Sequence, residues 1–240
     1  QLKKRYKDKI RENEPMNKHT SMGVGGVAEF FLQAESIEDL VEAISFCKSV
    51  KVPYKVIGNG TNLIFSDIGY LGVVIHNKTS NITINQSSGE VIVESGVQLA
   101  KLITNLAAAG LGGIESLYGI PSTVGGAVVN NAGAHGSSIS DYLKSASVML
   151  ESEKIVSYKK DWFNFKYRGS RMKDKKNKAV LLAAKFQFPH KRKEVVLKKM
   201  QEYFKWRKEH QPIGMKTSGS VFKNPDSTDL TEEELREKLA

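Results

Sequence analysis

Seven glycines fall within the 25 residues from Gly112 to Gly136, GGIESLYGIPSTVGGAVVNNAGAHG. Glycine loses more backbone entropy on folding than any other residue, so a run this dense must supply something that larger side chains would prevent. Close approach of the backbone to a ligand meets that requirement, because amide groups in tight turns make a concave seat for phosphate oxygens. A mobile linker is the competing reading. Ile114, Leu117, Ile120, Val124, Val128 and Val129 count against it, since flexible Gly/Ser linkers lack such apolar anchors. Glu115 is the one acid in the stretch.

A chain of 240 residues, 40% hydrophobic and 26% charged, can bury one large core or two modest ones in the manner of a soluble globular protein. No apolar run approaches the roughly 20 residues that span a bilayer, so no membrane partner is expected. The basic start, QLKKRYKDKIRENE, has no apolar segment behind it and does not read as a secretory signal. A first residue of Gln rather than Met suggests that the native start lies upstream. Cys47 is alone, which excludes an internal disulfide and a cysteine metal cluster and fits a cytoplasmic location. No metal site is expected. The net charge of +10 is uneven: residues 154–208 hold 19 Lys and Arg against Asp161, Asp174, Glu194 and Glu202. Such a segment suits nucleic acid, an anionic small substrate, or merely solvated helix faces. No RNA- or DNA-binding motif supports the first.

Taken in order, residues 1–14 read as a charged helix with Leu2, Tyr6 and Ile10 on one stripe. HTSMGVGGVAEFFLQA predicts a short Gly-broken strand and a second strand from Val27 to Gln33. Ser36 caps a helix whose first turn carries Glu38 and Asp39. Tyr54–Ile57 reads as a buried strand. The following Gly58-Asn59-Gly60-Thr61-Asn62 fits a phosphate turn and a plain hairpin turn equally well, since it matches neither the P-loop nor the dinucleotide fingerprint. Short strands are predicted at 72–76, 81–85 and 91–95, then a helix over 97–110 stopped by Gly110. After the Gly-rich centre come a hairpin (148–150 with 155–158), the aromatic and basic loop KKDWFNFKYRGSRMK, a strand over 179–188 and a basic helix over 191–208. Thr228 or Thr231 caps a final acidic helix. The class is α+β with more than one lobe.

Five stretches, in order, are similar to the UDP-N-acetylenolpyruvoylglucosamine reductase family: HTSMGVGGVAEF, VIGNGTNLIFSD, GIPSTVGGAVVNNAGAHGS, FKYRGSR and RKEHQPIGMKTSGSVFKNP. One Gly-rich match is weak, but five in order over residues 19–225 are specific. The resemblance implies FAD in the two-lobe fold of the vanillyl-alcohol-oxidase superfamily, NADPH as hydride donor, and UDP-N-acetylglucosamine enolpyruvate as substrate. The implied division is 1–78 and 79–208 for two FAD-binding subdomains and 209–240 for the start of a substrate-binding domain. A monomer is expected.

The resemblance also assigns residues. Ile57, Gly58, Asn59, Gly60, Thr61, Asn62 and Leu63 would wrap the pyrophosphate. Gly119, Ile120, Pro121, Ser122, Thr123, Gly125, Gly126, Asn130, Ala132 and Gly133 would line the flavin and ribityl chain. Arg168 would act at the enolpyruvyl carboxylate, where a guanidinium binds bidentately, with Tyr167 beside it. Ser220 would donate the proton, and Lys223 and Asn224 would bind substrate. Without the flanking motifs, Arg168 would read as a surface residue and Ser220 as a turn residue. Gly23 and Ser122 depart from the pattern, standing for a basic residue and a glycine. The family continues beyond FKNP with a catalytic glutamate that Glu232, Glu233 and Glu234 come too early to match. These 240 residues alone are therefore expected to bind FAD without turning over substrate. Another FAD oxidase of the superfamily, a flavin-holding remnant and an RNA-binding protein are the alternatives.

Overall fold

The computed structural model describes residues 5, 6, 9–174, 176–212 and 214–224. The predicted C-terminal helix, with Glu232–Glu234, lies outside them, as does Leu2.

Two sheets divide the chain. The first joins β1 (Ile10–Pro15), β2 (Val27–Ala34), β3 (Tyr54–Ile57) and β4 (Tyr70–Asn77) in the order β1-β2-β4-β3. β4 runs parallel to both β2 and β3, whereas β1 pairs antiparallel with β2. Val73, Val74 and Ile75 are all buried, as expected of a central parallel strand covered on both faces. Helix α1 (Ile37–Ser49) covers one face, and its start is as predicted: Asp39 N donates to Ser36 Oγ at 3.0 Å.

The second sheet joins β5 (Ile82–Asn85), β6 (Glu90–Glu94), β9 (Leu143–Met149), β10 (Ile155–Lys159) and β11 (Val180–Gln187) in the order β10-β9-β11-β6-β5, antiparallel throughout. Its core includes helices α2 (Leu99–Ala108) and α3 (Val124–Asn130), with Val196 and Met200 of α4 (Lys193–His210). The ribbon β7 (Gly133–Ala134) with β8 (Ser137–Ser138) follows α3. The two sheets are not independent, because Met149 and Leu182 of the second pack with Leu40, Ala43, Ile44 and Cys47 of α1.

Two local expectations fail. The helix predicted over 1–14 gives way to β1 from Ile10. The free edge of β2 offers ladder hydrogen bonds, and the charged Arg11, Glu12 and Glu14 suit a solvated edge strand better than the thin stripe suits a helix. The Gly-broken strand before Val27 is absent too. Met16–Lys18 forms a 3-10 turn with Met16 fully buried, and Gly23 (φ +67°) and Gly25 (φ +127°) take backbone angles no strand sustains.

Candidate active site

A cleft of about 940 Å³ runs between the lobes. Its lining includes the whole turn Ile57–Leu63 from the end of β3, together with Asn77, Ser95, Ser122, Thr123, Gly125, Gly126 and Asn130. Cys47, Met172 and Leu181 extend it. Among the described residues no Asp or Glu lines it, whereas Lys48, Lys51, Lys55, Lys173 and Lys178 do.

The turn can only be built with glycine. Gly60 has φ +65°, and a Cβ there would overlap the carbonyl oxygen of His19. A Cβ on Gly58 would stand 2.6 Å from Thr123 Oγ1, so turn and helix start are in contact across the lobes. On the other wall, a Cβ on Gly125 would meet Ser95 O at 2.9 Å. Among the described residues, the amides of Asn59, Gly60, Thr61 and Asn62 donate to no protein acceptor. Helix α3 has no such surplus. Its first amides are taken by Val97 O (2.8 Å, from Val124), Ser95 O (2.7 Å, from Gly125) and Thr123 Oγ1 (3.2 Å, from Gly126). A phosphate seat must therefore come from the turn. Free amides, glycines that admit a close approach, and a lining with lysines and no carboxylate all suit the dianionic pyrophosphate of FAD.

The remaining positions divide. Pro121 O accepts from Asn59 Nδ2 at 3.2 Å, and the Asn130 side chain turns back to Gly126 O at 2.9 Å. Ser122, where the family pattern has glycine, directs Oγ to Thr123 O at 2.9 Å and so fits at the cleft wall. Gly119 (φ +88°) faces away, toward α4, where a Cβ would lie 3.0 Å from Arg207 Cδ. Ile120 and Ala132 pack on the second core.

Arg168 and Tyr167 form the tip of a tight turn closed by reciprocal hydrogen bonds between Lys166 and Gly169 (3.0 and 3.1 Å). Arg168 takes φ +53°, a strained angle for a residue other than glycine, and its Nη1 donates to Gly133 O at 2.7 Å. Its guanidinium sits 5.3 Å from the Tyr167 ring centroid, and among the described residues no carboxylate pairs with it. Ser220, Lys223 and Asn224 lie on an exposed segment after α4 and do not line the cleft. That segment is fastened nearby, since Ser21 Oγ donates to Thr217 O at 2.6 Å. Lys216 lays its side chain over Gly23, so a cation stands beside the position where the family pattern has a basic residue.

Two residues were passed over as sites in the sequence. Gln98 bonds Asn59 across the lobes. Arg207, 6% exposed, donates to Tyr118 O (3.0 Å), Ser116 O (3.3 Å) and Gln211 Oε1 (3.1 Å), holding the backbone just before Gly119. Burial, and then the neighbouring charge of Arg168, lower its pKa. The available signal was its place on the helix face that carries Val196 and Met200.

Flavin attachment to the chain would use His or Cys. Cys47 lines the cleft, yet burial pushes its thiol up to about 11, leaving little thiolate to react. His135 is exposed and engaged with the rings of Tyr203 (4.9 Å) and Trp206 (4.7 Å). FAD is thus expected to be non-covalent, and acid precipitation should release all of it. Flavin remaining on the polypeptide would contradict this.

Residues 28–159 match the family described as FAD binding domain. The chain is 39% identical to the UDP-N-acetylenolpyruvoylglucosamine reductase of Carboxydothermus hydrogenoformans, over 94% of this chain and 74% of that protein. It is 36% identical to that of Bacillus subtilis, over the same shares. The crystal structure of the reductase from Thermus caldophilus superposes with a TM-score of 0.75 at 30% identity, covering 96% of this chain and 79% of the other. With its flavin cleft, its five ordered motifs and these relatives, the chain belongs to the UDP-N-acetylenolpyruvoylglucosamine reductase family.

Proposed function

We propose that the protein is the NADPH-dependent flavoenzyme that reduces UDP-N-acetylglucosamine enolpyruvate to UDP-N-acetylmuramate for peptidoglycan synthesis, acting as a cytoplasmic monomer. The observation that carries this reading is the carboxylate-free cleft whose glycine turn presents unused amides. No helix among the described residues is long and apolar enough to cross a membrane.

The cleft residues would hold FAD, which would supply hydride transfer from NADPH to one alkene carbon of the substrate. The chain supplies the rest. The turn Ile57–Leu63 holds the pyrophosphate through backbone amides. Arg168 binds the enolpyruvyl carboxylate, through which negative charge is delocalised as the hydride adds, so its fixed positive charge lowers the barrier. Among the described residues only Nη1 is committed, to Gly133 O, which leaves the other guanidinium donors for the substrate. Ser220 provides the proton for the neighbouring carbon, and Tyr167, Lys223 and Asn224 hold the substrate. A hydroxyl is a weak acid, so this role needs neighbouring positive charge to favour its alkoxide form.

The test is anaerobic flavin absorbance in the natural full-length protein. NADPH should bleach the flavin band and the enolpyruvate should restore it. Failure of NADPH to bleach a protein that holds FAD would remove the reading. Arg168→Lys should keep FAD and lose at least about tenfold in turnover, since an ammonium cannot reproduce a bidentate fork. Turnover within about threefold of the parent would remove Arg168 from its role.

A further inference from the structure

Asn59 has spent its side chain before any ligand arrives. Its Nδ2 donates to Gln98 Oε1 at 2.6 Å and to Pro121 O at 3.2 Å, while its Oδ1 accepts from Gln98 Nε2 at 2.7 Å. Both hydrogens of a primary amide are then committed, so toward the cofactor Asn59 offers its backbone amide rather than its side chain. All three bonds run from the turn of the first lobe to the second.

Gln98 is itself tightly held. It stands at the start of α2 without capping its own helix, which leaves its side chain free to reach outward. Leu99 N donates to Ser122 O at 2.9 Å and Val124 N to Val97 O at 2.8 Å, with Gln98 and Thr123 bridged between them. Gln98 therefore rises from the same strap that carries Thr123, the residue against which Gly58 packs. A side chain on a fixed strap can hold a loop; one on a loose segment cannot.

Resting on the reading of this cleft as the FAD site, we propose that Gln98 is a positioning residue for the cofactor, its reciprocal amide pair with Asn59 fixing the aim of the free amides at 59–62. The pair is exposed, so water replaces it at small loss to overall stability. The turn is nevertheless preorganised by it, and a ligand that must order its own seat binds less tightly. The effect belongs to affinity and local motion rather than to global folding.

The test compares Gln98→Ala, Asn59→Ala and the double variant after removal of flavin. FAD titration by fluorescence quenching should give a Kd raised about tenfold in each single variant. The double variant should rise no further than Asn59→Ala alone, because that change already removes the Gln98 pair together with the bond to Pro121 O. Thermal midpoints of the apoproteins should be nearly equal. Gln98→Ala binding FAD within twofold of the parent, or two rises that multiply, would overturn the proposal. If the parent itself binds no FAD, the reading of the cleft fails, and amide hydrogen exchange decides the brace separately. Exchange at Ser21, whose amide donates to Gly60 O, should quicken about tenfold in the Gln98→Ala apoprotein. Unchanged exchange there would overturn the brace.

Discussion

Alanine at Gly60 is expected to deprive the protein of its flavin. The position has φ +65°, where a Cβ alone costs about 1 kcal/mol. The larger obstacle is what the Cβ meets, the backbone carbonyl of His19, which cannot turn aside as a side chain could. Either the turn or residues 19–21 must move. Motion would break the bonds between the two segments, Ser21 N to Gly60 O and Ser21 Oγ to Thr61 O, each 3.3 Å. The expected result is a loss of about 2–4 kcal/mol in stability and a rise of at least about a hundredfold in the Kd for FAD. Gly136→Ala provides the control. Its φ is +74°, but a Cβ there meets nothing within 4 Å, so it carries the backbone strain without the collision. Absorbance after gel filtration should show full flavin in the control and almost none in Gly60→Ala. Equal flavin in both would mean that the turn does not hold the cofactor.

Stability should fall steeply on mild acidification, and His76 is the reason. It lies on β4 and is 8% exposed, with Phe31 at 5.7 Å between ring centroids. Burial, reinforced by Lys78, His19 and Arg11, holds its pKa down at about 4 against an ordinary 6.5. The unfolded chain binds that proton more readily than the folded one. Stability is therefore fully present above pH 6.5 and is lost as pH falls from 6.5 toward 4, by about 3 kcal/mol in all. Glu14 acts lower. Its pKa is depressed by the hydrogen bond with His19, so its contribution is present above the ordinary carboxylate range and fades below it. Urea unfolding at stepped pH should thus slope between pH 6.5 and 4.5 in the parent and flatten there in His76→Leu. A flat parent curve would contradict the assignment.

Much of the site was legible because its chemistry is local. The start of α3 stands out through its glycines, whereas the turn after β3 fitted a plain hairpin equally well until the resemblance assigned it; Ser36, Gly110 and Pro53 punctuate the elements around them. What escaped depends on distance along the chain. Gln98 lies 39 residues from Asn59 and fell within the predicted helix 97–110 as one more polar position. Arg207 lies 91 residues from Ser116, and its charge at an apolar helix position has meaning only once that partner is present. β1 was misread for the same reason: its strand identity comes from the edge of β2, not from its own residues. Arg168 and Ser220 were singled out through family resemblance and not through composition.

The seat of α1 has a temporal consequence. Leu40, Ala43, Ile44 and Cys47 close against Met149 and Leu182, which enter the chain more than a hundred residues later. During synthesis α1 therefore emerges with part of its apolar face bare, and that face stays bare until β9 and β11 have left the ribosome. The wall of the cleft that Cys47 and Leu181 form together has no earlier existence. Cofactor capture is in this sense a late event for the nascent chain, since it awaits Leu181 and Leu182.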